Sequence, residues 1–190
     1  MRFRMAATRA LLVLLVIWLP LGHIAQAQQK GTESARVFVQ SFYNWYLRFT
    51  DNYLNSTGKD KRMNYTPLEV VVKEKGGSFD ANLLAALRRD IDAQNAEPGY
   101  IVGLDFDPFL NTQDPDDRYD VRKVTRKGEK YLVEVFGTRG GNRESEPSVV
   151  VELIRKNSRW VFSDFRYPNQ GADLLGILAV LRTGRIPEQK

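Results

Sequence analysis

Cysteine is absent from this chain and histidine occurs once, at His23. Disulfides, thiolate zinc sites, cysteine nucleophiles and most histidine-based catalysis are excluded at the outset. No apolar stretch reaches the roughly 20 residues that a bilayer-spanning helix takes, since the run at 10–19 is interrupted by Pro20 and Gly22. Charge of one sign is not in great excess, with 28 Lys and Arg against 23 Asp and Glu. Internal repeats and low-complexity tracts are missing as well. What remains is 190 residues that are 43% hydrophobic and 27% charged, the composition of one globular domain with room for a targeting segment.

That segment is expected at residues 1–27. Arg2, Arg4 and Arg9 precede the apolar run, and the small-residue ending Ala25-Gln26-Ala27 follows, the order of a secretory signal cleaved after Ala27. An uncleaved anchor is disfavoured by Pro20 and Gly22, and a lipoprotein anchor needs a cysteine. Removing three arginines from 28 basic residues leaves 25 against 23 acidic ones, a net +2. His23 also departs, so residues 28–190 form one exported domain, core about 33–183, with neither imidazole nor thiol. Its sites must be built from carboxylates, Lys, Arg and hydroxyls, and a metal would be calcium or magnesium.

Periodicity predicts helices first and strands last. Thr32 is a candidate cap for a helix running to about Phe49, with Ala35, Phe38, Phe42, Trp45 and Phe49 at helical spacing and Val39, Tyr43 and Tyr46 widening the stripe. Residues 51–62 form a polar loop. Pro67 with Leu68 and Val70–Val72 opens a short helix or a strand, ended by Gly76-Gly77. A further helix follows, capped by Asp80 or Ser78, with Leu83, Leu84, Leu87, Ile91 and Ala93 on one face and Arg88, Arg89, Asp90 and Asp92 solvated. Four strands are expected at about 119–126, 129–137, 147–156 and 159–167, with turns at Lys127-Gly128 and Asn157-Ser158 and a looser connection at 138–147. A two-residue turn at Asn157-Ser158 aligns Val149, Val151 and Leu153 with Trp160, Phe162 and Asp164 on one face. An amphipathic helix over 172–182 ends the domain. The order reads as α+β, with helices laid across a curved antiparallel sheet.

Three segments carry a resemblance: the aromatic helix Ser41-Phe42-Tyr43-Asn44-Trp45-Tyr46-Leu47, the acidic loop from Asp105-Phe106-Asp107-Pro108-Phe109 to Asp114, and the strand from Trp160 to Pro168. Together they resemble the secreted bacterial family called domain of unknown function 3828, over most of residues 28–190. The resemblance implies a nuclear transport factor 2-like cone of the cystatin-like superfamily, in which a bent four-stranded sheet wraps a long helix and leaves a pocket. It implies secretion more than chemistry, because such cones host enzymes, binding modules and assembly domains alike. Some family members carry a lipoprotein cysteine, and its absence here implies a soluble periplasmic or secreted location.

Four features are candidates for function. Residues 105–117 concentrate Asp105, Asp107, Asp114, Asp116 and Asp117 around Asn111 and Gln113. The donors suit calcium but the spacing fails the EF-hand pattern; the favoured reading has Asp107 before Pro in an extended turn and Asp105, Gln113 or Asp114 tying the loop down by side-chain to backbone bonds, with ligand or partner contact as the alternative. Second, a pocket is expected between the first helix and the sheet with Tyr43, Tyr46, Trp45, Trp160 and Phe162 as its candidate lining, although an aromatic stripe at helical spacing favours these residues as core, and Asp164 has the alternative of a sheet-edge position paired with Arg166 or Arg122. Asp164 beside it would have its pKa raised by desolvation, so Asp164, Tyr43 and Tyr46 form the alternative, catalytic reading. Third, Arg122, Lys123, Arg126, Lys127 and Lys130 cluster on a hairpin, but Asp120, Glu129 and Glu134 interleave, and nucleic acid is not expected. Fourth, Glu134 and Glu152 mark the wetter sheet face. The sequons at Asn55 and Asn64 matter only in a eukaryotic secretory pathway, which the resemblance argues against.

The resulting expectation is a binding domain with no evident catalysis and no cofactor, taking a small ligand, a peptide or a partner protein, an immunity or inhibitor role being one version. Homodimerisation and a small cone-fold enzyme are the alternatives.

Overall fold

A computed structural model describes residues 21–55, 65–97 and 99–184. Residues 1–20 of the expected signal, residues 56–62 of the polar loop, the sequon residue Asn64 and the polar tail lie outside the described residues. Helix α1 (Leu21–Asn55) is 35 residues long and passes through both the expected cleavage point and Thr32. Thr32 is therefore an interior residue, its hydroxyl donating back to the Gln28 carbonyl at 3.0 Å. None of the described helices is long and apolar enough to cross a membrane.

Helix α2 (Pro67–Lys75) resolves the helix-or-strand ambiguity of the valine run. Thr66 and Glu69 form a reciprocal capping box around Pro67 at the first turn, satisfying donors that a β-branched run alone would leave orphaned. Helix α3 (Ala81–Ala96) is capped by Asp80, whose Oδ2 accepts the Asn82 N–H at 3.1 Å. Leu83, Leu87 and Asp90 form its buried stripe, so Asp90 is not solvated as its polarity suggested. Its Oδ2 accepts the Leu104 N–H at 3.1 Å.

The sheet has six strands, β1 (Arg118–Lys127), β2 (Lys130–Arg139), β3 (Asn142–Arg143), β4 (Val149–Lys156), β5 (Arg159–Tyr167) and β6 (Ala172–Asp173), followed by α4 (Leu174–Gly184). Four are the expected ones. The two short additions are a hairpin closed by Gly140-Gly141, both at positive φ, inside the connection read as loose, and a two-residue strand that pairs with the end of β5. All named pairings are antiparallel, in the order β1-β2-β4-β5-β6. Asn157 and Ser158 both take positive φ, as the primed two-residue turn requires.

The expected register holds only over half of the β4–β5 pair. Leu153 faces Phe162 and Arg155 faces Trp160, but a bulge between Glu152 and Leu153, with Ser163 as the extra residue on β5, puts Val151 opposite Phe165 and Glu152 opposite Asp164. The extra residue lets Phe162 and Phe165 both enter the core, rings 5.3 Å apart, which strict alternation forbids. Asp164 thereby leaves the face of Val151 for that of Glu152.

The core lies between α1, α3 and the inner sheet face, and Ala35, Val39, Phe42, Tyr43, Tyr46 and Phe49 are the buried stripe of α1. Helix α1 also covers the β1 edge. The Gln40 side chain accepts the Val121 N–H at 2.8 Å and donates to the Tyr119 carbonyl at 3.0 Å, replacing the peptide of a missing neighbour strand.

Candidate functional site

The cleft expected between α1 and the sheet is filled. Residues 105–110 enter it from the side, and Phe109, fully buried, packs its ring 5.5 Å from Phe42, 5.4 Å from Tyr46 and 5.2 Å from Phe165. Three buried tyrosines hold this plug. Tyr43 donates to the Phe109 carbonyl at 2.8 Å, Tyr167 to the Pro108 carbonyl at 2.9 Å, and Tyr46 to Asp107 Oδ2 at 2.5 Å. Asp107 Oδ1 accepts the N–H groups of Phe109 at 2.9 Å and Leu110 at 3.1 Å, the loop-stabilising turn that an Asp before Pro favours. Gln113 closes the loop by donating to the Asp105 carbonyl at 2.7 Å.

The remaining carboxylates of the loop grip the hairpin. Arg139 bonds Asp114 at 2.7 Å and Asp116 at 2.8 Å, and Asp117 accepts the Gly140 N–H at 2.6 Å. Gly137 is needed here because a Cβ would stand 1.8 Å from Asp116 Oδ2. Among the described residues, no three His, Cys, Asp or Glu side chains are grouped to hold a metal ion.

An open cavity of about 510 Å³ lies on the other side of the plug, between the C-terminal half of α1, α2, α3 and residues 101–115. Its walls are mainly apolar, with Tyr53, Ile91, Leu104 and Phe106 prominent, and Tyr46 and Asp107 reach it from below. Gln94 shapes one side by accepting the N–H groups of Val102 at 3.2 Å and Gly103 at 3.1 Å. Asn95 ties α3 to α2 through Glu69 at 2.9 Å.

Of the residues singled out in the sequence, the structure brings Tyr46, Asp105, Asp107 and Gln113 to this cavity. Tyr43 is one layer deeper, in the core. Trp45 stacks on Phe49 at 5.6 Å beneath Lys75, and Trp160 packs on Tyr131 at 4.7 Å while donating to Ser34 at 3.1 Å; neither lines the cavity. Asp114 is held by Arg139. The grouping of Asp164 with Tyr43 and Tyr46 does not form, because the bulge turns the carboxylate away. Asp164 Oδ1 instead accepts from the N–H of Phe165 at 2.8 Å and from Leu175, in the first turn of α4, at 3.2 Å.

Two carboxyls are raised to about 6. Burial raises Asp107 despite the opposing bonds from Tyr46, Phe109 and Leu110. Burial also raises Asp164, with the neighbouring charges of Asp173 and Glu152 adding to it and the two N–H bonds opposing. The Tyr46 hydroxyl is held well above its ordinary value, by burial first and Asp107 second. On the other sheet face, burial resists the ionisation of Glu152, but its bonds to Lys130, Arg166 and Ser163 prevail and lower its pKa. Lys130 lies 2.7 Å away, so Glu152 is on the expected face but enclosed by the side chains that neutralise it.

The Asp–Tyr pairing that the alternative reading placed at Asp164 is thus realised at the half-buried Asp107. The Asp-Pro dipeptide signalled the turn, but no local pattern signals that Phe109 fills the cleft and carries Asp107 beneath a different cavity. No family model, curated protein or solved structure matches the chain.

Proposed function

We propose that this protein is a binding domain whose ligand is a small molecule seated in the cavity above Asp107. The observation that carries the reading is the cavity itself, about 510 Å³ with mainly apolar walls, the size and lining typical of small-molecule sites. Its wall is built from α1, α2, α3 and a loop anchored by Tyr43, Tyr46 and Tyr167, so the site is largely preformed and little ordering opposes binding. Screening by thermal stabilisation tests it. Compounds should raise the melting temperature of the parent protein and fail to do so when Leu104→Trp fills the cavity; stabilisation indifferent to that change refutes the reading.

A second reading is favoured by one observation, the elevated pKa of Asp107 beside Tyr46 at a cavity. A carboxyl titrating near neutrality is suited to proton transfer, and turnover abolished by Asp107→Asn but kept in Asp164→Asn would establish an enzyme.

The remaining context belongs to the same proposal. The chain is exported to the periplasm or secreted, cleaved after Ala27 so that α1 begins at Gln28; mass spectrometry of the exported protein reads that terminus directly. We propose also that the domain is a nuclear transport factor 2-like cone of the domain of unknown function 3828 family, a reading supported by the order of helices, antiparallel sheet and C-terminal helix. Partner binding of the immunity type and a homodimer are its protein-binding variants, and light scattering of a single monomeric species removes the homodimer.

A further inference from the structure

We infer that the cavity selects a small organic cation, an apolar body bearing one ammonium group, over neutral and anionic molecules of the same shape. This rests on the reading that the cavity binds a small molecule and adds the class of that molecule.

The argument is charge complementarity in a site that is otherwise apolar. The described lining includes the carboxyl residues Asp107, Asp105 and Glu69, and no Lys, Arg or His is among the described lining residues. Asp114 and Asp116 of the same loop are neutralised by Arg139, and Glu152 by Lys130 and Arg166. Among the described residues Asp107 is stabilised by dipoles, the Tyr46 hydroxyl and the N–H groups of Phe109 and Leu110. A carboxylate has about four acceptor sites, so capacity remains for a donor entering from the cavity. Burial accordingly holds its pKa up, the signature of a charge with no counter-ion beside it. Tyr53 and Phe106 add ring faces to the wall, and aromatic faces attract ammonium groups through the ring quadrupole. An anion entering the same space meets negative charge with no compensating donor cation among the described lining residues.

A matched series tests this: 4-phenylbutylamine, 4-phenylbutanol and 4-phenylbutyrate, which share a body and differ in the head group. Binding is measured by calorimetry at pH 7.5 on the full chain and on Asp107→Asn, Asp105→Asn and Leu104→Trp. The expected result is that the amine binds at least tenfold more tightly than the alcohol and the carboxylate most weakly, with the preference reduced in Asp107→Asn and all binding lost in Leu104→Trp. Asp105 is exposed, so Asp105→Asn tolerates the change in folding and keeps the test alive if Asp107→Asn does not fold; it too reduces the preference. Equal binding of the three compounds, abolished by Leu104→Trp, overturns the cation assignment and leaves the cavity as a site. An amine preference undiminished in both Asn variants also overturns it. No binding by any compound, or binding unaffected by Leu104→Trp, overturns the underlying reading as well.

Discussion

Replacing Tyr46 by Phe removes one oxygen and keeps the ring, which packs against Phe42 and Phe109. The lost group is the hydroxyl that donates to Asp107 Oδ2. A hydrogen bond to an ionised group is worth about 1.5–3 kcal/mol and one between neutral partners about 0.5–1.5. The difference between the two, about 1–1.5 kcal/mol, at about 1.36 kcal/mol per pH unit raises the Asp107 pKa from about 6 by roughly one pH unit. The sign for stability follows from the unfolded reference near 3.9. The folded carboxyl binds its proton more tightly than the unfolded one, so the contribution of Asp107 to stability is fully present below about pH 4 and is lost as pH rises through about 6. In Tyr46→Phe the loss continues to higher pH. Denaturant unfolding should therefore show a deficit of about 1.5–3 kcal/mol at pH 8.5 that shrinks to about 0.5–1.5 at pH 5. Carbon-detected titration of the Asp107 carboxyl should show its midpoint moving up, with Asp164→Asn used to assign the second carboxyl that titrates near 6. An equal deficit at both pH values, or a midpoint that stays or falls, refutes the idea that the hydroxyl supports the ionised form.

Phe109→Ala should cost about 3–5 kcal/mol by denaturant unfolding, the range for truncating a fully buried Phe; a cost under about 1 would mean that the plug is not part of the core. Gln40→Ala leaves the Val121 N–H and Tyr119 carbonyl at the β1 edge without their partner, and we expect a loss of about 1–3 kcal/mol with faster aggregation by light scattering. Unchanged aggregation would show that α1 shields the edge without this amide. Gly137→Ala sets a methyl against Asp116 and should destabilise the fold, while Asp116→Ala added to it should recover part of the loss; no recovery in the double variant places the strain elsewhere.

The elements legible in the chain are those fixed by neighbours in sequence. The Asn157-Ser158 turn, the alternation of β2 and β4 and the 3.6-residue stripe of α1 were readable because turn chemistry and side-chain period are local. The capping box of Thr66 and Glu69 is local as well, but the valines that follow it suit a helix or a strand, so the pattern alone left both open. Asp90 looked solvated because it follows two arginines, and its burial depends on Leu104, which comes from another part of the chain.

The candidate site was decided by contacts across the fold. Asp164 was aligned with the aromatic face by extending the register from the turn, and one bulged residue moved it to the other face, since a slip of one reverses every side chain beyond it. Asp107 could be recognised as a turn residue, but its meeting with Tyr46 spans 61 positions. Composition alone determined that the chemistry has no thiol and almost no imidazole, and that carboxylates and hydroxyls would have to serve. Which carboxylate meets which hydroxyl, and beside which cavity, was set only when Phe109 filled the space between helix and sheet, because close packing is a property of the assembled interior and not of any one segment.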